Sequence, residues 1–253
     1  MNKVFLNIFA LILLFAIQIT AQQFLPDSPE WLVDMFFTKS SFPDKANYFF
    51  GEMLKDVNNP TIGEELNTKG NIQFHKIKDA NDESVFAIEV SVDDKVIDFY
   101  CFLVKQIESW KISAIRRFLL PEFIYIVEDS LSNLSSLSAN DSIFYLSLRL
   151  FIMNDSELKN YLSINISDLQ ELVSYFNQEQ SEEIKKKLAY LGCNAIFKDR
   201  NYPGCVFIQI LAFEKMEVGF LYSDDSSELP KISPKDFIYI EEVAPGWFIY
   251  RII

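Results

Sequence analysis

The chain has 253 residues, with 23 Lys and Arg against 36 Asp and Glu, a single His and a net charge of −13. An acidic chain of this kind repels nucleic-acid backbones and anionic membrane surfaces, which excludes nucleic-acid binding. Its length suits one large domain or two small ones, and 24 Phe with 11 Tyr supply an aromatic core.

Residues 1–21 place one cation, Lys3, ahead of an apolar run from Val4 to Ile19, followed by "TAQQ". This pattern predicts a secretory signal peptide cleaved near Ala21 and an exported product, periplasmic or secreted. The alternative is an uncleaved anchor, because the run is marginal for spanning a bilayer. Cleavage removes only Lys3 among charged residues, leaving a net charge of −14. No later stretch reads as an integral membrane segment.

From Ser28 to Val57 the apolar spacing predicts two helices, the first capped by Ser28 with Pro29 at its first position. The period then changes to two. "NIQFHKIKD", "SVFAIEVSVDD", "KVIDFYCFLVKQ" and "SWKISAIRRF" read as four strands of an antiparallel meander joined by short turns. In the second strand Phe86, Ile88, Val90 and Val92 define a core face, and Ala87, Glu89, Ser91 and Asp93 a wetter one.

A Ser/Asn-rich stretch at 128–142 reads as a linker between a first module, 22–127, and a second, 143–253. The second module repeats the plan of helices followed by strands. "DSIFYLSLRLFIM" and "DSELKNYLS" are expected as helices, "SDLQELVSYF" as another behind a Ser167 cap, and "SEEIKKKLAYLG" as one stopped by Gly192. Five strands follow, of which "GCVFIQILAF" is apolar on both faces and so expected to be covered on both. The fold class is therefore α+β, with helices packed on antiparallel sheets. The hairpins "DFYCFLVKQIESWKI" and "DFIYIEEVAPGWFI" echo each other, which raises the question of an internal repeat.

The first module, with helices ahead of a four-strand meander closing on "LVKQIESWKI", resembles the nuclear transport factor 2-like (cystatin-like) superfamily over roughly residues 28–118. The C-terminal half resembles only uncharacterised exported proteins. The superfamily includes isomerases and dehydratases beside modules that only bind. In its enzymes a pocket between helix and sheet holds an acid or His base with a Tyr or second acid as donor. The resemblance therefore implies Asp98 and Tyr100 as the corresponding pair, two apart on one strand face with Phe102 and Val104, against the reading of Asp98 as a carboxylate near a strand end beside the "VDDK" turn, solvated or paired with Lys95.

The other chemistry-bearing residues are sparse. His75 lies in an ordinary strand position between Phe74 and Lys76, and no nucleophile motif, phosphate-binding glycine loop or metal-ligand spacing is present. No cofactor, no metal and no catalytic residue is expected. An oxidising compartment would permit a Cys193–Cys205 disulfide, against the reading that Cys101, Cys193 and Cys205 are small buried apolar groups. The expected role is a non-catalytic binding module for a small apolar ligand or an exported protein partner. The alternatives are an isomerase- or dehydratase-like enzyme using Asp98 and Tyr100, and a structural or inhibitory protein whose sheet edge receives a partner strand.

Overall fold

The computed structural model describes residues 24–93, 95–225 and 228–253, so the expected signal segment, 1–21, lies outside the described residues. Helix α1 is Pro29–Phe37, and the Ser28 hydroxyl accepts the Trp31 N–H at 3.1 Å as its cap. Leu32, Val33, Phe36 and Phe37 form its buried face. The second helix expected near Tyr48–Leu54 is instead two 3-10 turns, Lys45–Tyr48 and Gly51–Asp56. Phe49 and Phe50 between them are extended, and Gly51 adopts φ +60°, which no helix continues through. The Phe50 N–H bonds Ile112 O at 3.0 Å, so this segment lies along an edge of the first sheet. Short helix α2, Ile62–Leu66, starts on a reciprocal Thr61–Glu64 capping box.

Strands β1 (Asn71–Asp79), β2 (Glu83–Val92), β3 (Lys95–Gln106) and β4 (Ser109–Arg117) form the expected antiparallel sheet in the order β1-β2-β3-β4. One face, carrying Phe86, Ile88, Cys101, Leu103 and Ile112, packs on α1. The opposite face is drier than its Ala87, Glu89, Ser91 pattern predicts. Val85, Ala87, Tyr100, Phe102 and Ala114 are buried there in one continuous core with the second half of the chain.

The stretch expected as a linker, 128–142, holds the end of α3 (Glu122–Ser132), the connection 133–138 and the start of α4 (Ala139–Ile152). Its serines serve as helix punctuation: Ser138 caps α4 by accepting the Asp141 N–H at 3.2 Å. The two helical segments expected next are a single helix, α5, running 23 residues from Asp155 to Asn177 behind an Asn154–Glu157 capping box. Ser167 is interior to it rather than a cap, because the stretch contains neither Gly nor Pro to break it. Helix α6, Ser181–Tyr190, is followed by Gly192 at φ +60°.

The second sheet comprises β5 (Ala195–Asp199), β6 (Tyr202–Phe213), β7 (Met216–Tyr222), β8 (Phe237–Ala244) and β9 (Trp247–Ile252), all antiparallel neighbours in the order β5-β6-β7-β9-β8. Strand β6 is covered on both sides as expected: Val206, Ile208 and Ile210 enter the shared core, while Cys205 and Phe207 enter a separate cluster with Phe237 and Tyr250. Cys193 and Cys205 are unbridged and buried in different clusters, Cys193 in the shared core, so the permitted disulfide is not formed.

The two echoing hairpins differ in placement. Both have two-residue loops, Gln106 pairing Ser109 and Ala244 pairing Trp247. In the first sheet β4 is an edge strand, beside β3 and bridged on its outer side at Ile112 by the Phe49–Phe50 segment, whereas β9 lies between β7 and β8. Trp110 is half-buried, and Trp247 is 1 % exposed in the shared core. Truncating such a buried aromatic in a central strand removes its apolar contacts and leaves a cavity. Trp247→Ala is therefore expected to destabilise the fold by about 3–5 kcal/mol, read as a lowered urea midpoint; a loss under about 1 kcal/mol would show that the site collapses around the gap.

Candidate functional site

The even-numbered face of β3 points at the second half of the chain and carries Asp98, Tyr100 and Phe102. Across the seam stand the first residue of α5, Asp155, and the penultimate strand residue of β9, Arg251. Arg251 Nε donates to Asp155 Oδ1 at 2.7 Å and its Nη2 to Met153 O at 2.7 Å, with the side chain only 2 % exposed. The Tyr100 hydroxyl donates to Asp155 Oδ2 at 2.8 Å. Asp98 Oδ2 accepts the Asp155 backbone N–H at 2.8 Å, at the amino end of α5, where exposed N–H groups favour a carboxylate. The Arg251 guanidinium also lies over the Phe118 ring, 4.8 Å from its centroid.

The charges do not balance within this group. Arg251 is engaged by Asp155 and only approaches Asp98 Oδ2 at 4.0 Å. Burial of Asp98, together with the negative charge of Asp155, raises its carboxyl to about 7; Arg251 and the α5 N–H only partly oppose this. Arg251, surrounded by Asp155, Tyr100 and Asp98, keeps its proton more firmly than usual despite burial. Tyr100 is pushed up by burial and by Asp155, so it serves as a hydrogen-bond donor and not as a phenolate.

A second polar cluster closes the seam nearer the surface. Glu241 on β8 accepts from Tyr239 at 2.8 Å and Lys159 at 2.7 Å, and pairs with His75 of β1 at 2.8 Å. Burial alone would raise the Glu241 carboxyl, but these donors bring it down to about 2. The Tyr239 and Tyr100 rings lie 5.1 Å apart, joining the two clusters. His75 is therefore a rim residue, half exposed and far from any nucleophile role. Burial pushes the Cys101 thiol up, the opposite of what a nucleophilic cysteine needs.

A cavity of about 240 Å³ opens beside the buried group. Asp98 and Arg251, with Arg117, Asn154 and Glu157, supply a largely polar lining, and Phe118, Leu120, Ile152 and Met153 much of its apolar part. Of the pair singled out in the sequence, Asp98 reaches this cavity, whereas Tyr100 sits behind, bonded to Asp155. The cavity is also on the opposite side of β3 from α1, whose face is filled by Phe37, Phe86, Cys101 and Leu103. Asp155, Tyr239 and Arg251 were not singled out from the sequence. Arg251 alone had a signal there: a cation inside the apolar strand "GWFIYRII" requires a buried counter-charge. Among the described residues no His, Cys, Asp and Glu group is arranged to hold a metal ion, and no helix is long and apolar enough to cross a membrane.

No protein-family model, curated protein or solved structure matches this chain.

Two measurements test the electrostatics. Arg251→Met leaves Asp155 charged and buried, and is expected to cost about 3–5 kcal/mol, with part of that recovered when Asp155→Asn is added. For Asp98, a folded value above the unfolded one means that the folded chain holds the proton more tightly. Its stabilising contribution is complete below the unfolded value of 3.8 and is lost as pH rises towards about 7. Asp98→Asn, which keeps an oxygen for the α5 N–H, should gain in urea midpoint over the unaltered protein as pH rises across that window. A constant difference at all pH values would refute the shift.

Proposed function

We propose that this chain is an exported binding module whose seam cavity holds a small molecule, with a polar end at Asp98 and Arg251 and an apolar body against Phe118, Leu120 and Ile152. The observation that carries this reading is the cavity itself: Asp98 and Arg251, joined by Arg117, Asn154 and Glu157, line an open space of about 240 Å³ beside the buried core. Ligand sites commonly combine an apolar wall with a few convergent polar groups. Export rests on the N-terminal pattern of the sequence, and the nuclear transport factor 2-like resemblance is compatible with a role in binding alone.

A second reading, acid–base catalysis, is favoured by one observation. A carboxyl near 7 can both take and give a proton at neutral pH, and Asp98 presents one to the cavity beside a fixed cation. In that reading Asp98 moves the proton and Arg251 stabilises developing negative charge. Tyr100 acts through Asp155 as a positioning residue.

Native mass spectrometry of the protein purified from its own exported fraction tests the binding reading. A bound small molecule is expected, and it should be lost in Leu120→Trp, which fills the cavity, and weakened in Asp98→Asn. A ligand-free protein, or one whose ligand survives both changes, would refute it.

A further inference from the structure

Helix α3 buries one side and leaves another apolar side uncovered. Ile124 is buried in the shared core, with Val127 and Leu131 packed against it at helical spacing. On the outer side Phe123 is 46 % and Ile126 57 % exposed, and Leu119, just ahead of the helix, is 62 % exposed. Leu134 in the following connection and Phe144 on α4, which packs against α3, add further exposed apolar surface. These five side chains lie within 26 residues of sequence. Scattered exposed apolar residues need no explanation, but a grouped set on one helical corner marks an interaction surface.

Within the segment 118–148 that carries this surface the charge is of one sign. Between Arg117 and Arg149 the chain has no Lys or Arg, and its charged residues there are Glu122, Glu128, Asp129 and Asp141. Glu122 and Asp129 are exposed on α3 itself, four residues before and three residues after Ile126, so both border the row on the side away from buried Ile124. Glu214 and Lys215, in the turn after Phe213, offset each other; the Phe213 ring packs on Phe123 at 5.2 Å. Two copies of this acidic surface would repel each other, and so would an anionic membrane. A complementary occupant has an apolar stripe bordered by cations.

We propose that the α3–α4 corner is a docking surface for a basic amphipathic helix of a partner protein, whose apolar stripe covers Leu119, Phe123 and Ile126 while its Lys and Arg face Glu122 and Asp129. The mode is a helix laid along a helix pair, read through anchors at i and i+3 or i+4 spacing. The acidic border sets the rate and the selectivity, and the apolar row holds the complex.

The test uses a synthetic helix of about 14 residues, ~21 Å long, with a leucine stripe flanked by lysines, and a second peptide with glutamates in place of the lysines. Fluorescence anisotropy against the purified protein should show the lysine peptide binding and the glutamate peptide failing to bind. Ile126→Ser and Phe123→Ser should each weaken binding about tenfold. Glu122→Gln with Asp129→Asn should flatten the salt dependence. The control Glu182→Gln with Glu183→Gln, on the exposed face of α6, should leave affinity unchanged. Equal binding of both peptides, an equal loss in the α6 control, or no effect of Ile126→Ser would overturn the proposal. So would self-association, or binding to zwitterionic vesicles, that Ile126→Ser abolishes, because each would assign the surface to a different occupant.

Discussion

The pairing of Arg251 with Asp155 is the constraint on which the rest of the architecture depends. One partner comes from the last strand of the second sheet and the other from the first turn of the 23-residue helix α5. Tyr100 and Asp98 bring the first sheet to the same point. A buried ion pair of this kind is not a strong source of stability, since desolvation opposes the Coulomb attraction. Its effect is on specificity: each halfway arrangement, with one sheet shifted or one helix turned, strands a charge in the core. The apolar side chains around it tolerate small shifts in packing, whereas the guanidinium, the carboxylates and the helix N–H do not.

That constraint also explains why the seam is the place with chemical potential. Three charged groups share two sides of a dry junction, one more anion than cation. The surplus falls on Asp98, which stands at the edge of the cavity. Two other partly buried carboxylates are matched: Glu64 is held by the Thr61 and Phe42 N–H groups and by Lys45, and Glu241 by three donors. The imbalance and the cavity occur together at a single place, where a polar ligand group can supply what the protein does not.

The local structure was legible in the sequence wherever a single periodicity governed it. The first meander, the Ser28 cap, the double-sided strand β6 and the stop at Gly192 all follow from spacing and turn chemistry. What was lost needed knowledge of long-range partners. The outer face of β2 reads as half wet because Glu89 and Ser91 alternate with apolar residues. Only the arrival of the second half of the chain, whose residues share a core with Val85 and Ala87, makes part of it buried. Ser167 looks like a cap because Ser precedes an apolar periodic run, but nothing upstream of it breaks the helix. Asp98 could be found because it sits on a strand face with Tyr100. Asp155 looks like one more acid in a helical first turn, and Tyr100 looked like a pocket residue because its bond to Asp155 spans 55 positions.

The position of β9 between β7 and β8 bears on the order in which the second sheet is assembled. Among the described residues strand β8 has no sheet neighbour other than β9, and β7 has β9 on the side away from β6. The contacts of β8 with β9 are local in sequence, across the Pro245–Gly246 turn, while those of β7 with β9 close a loop of some thirty positions. The hairpin thus costs less loop-closure entropy than the pairing of β9 with β7. One strand, β9, joins the two pairings and carries both Trp247 of the core and Arg251 of the seam, so the second sheet and the seam between the sheets rest on the same six residues.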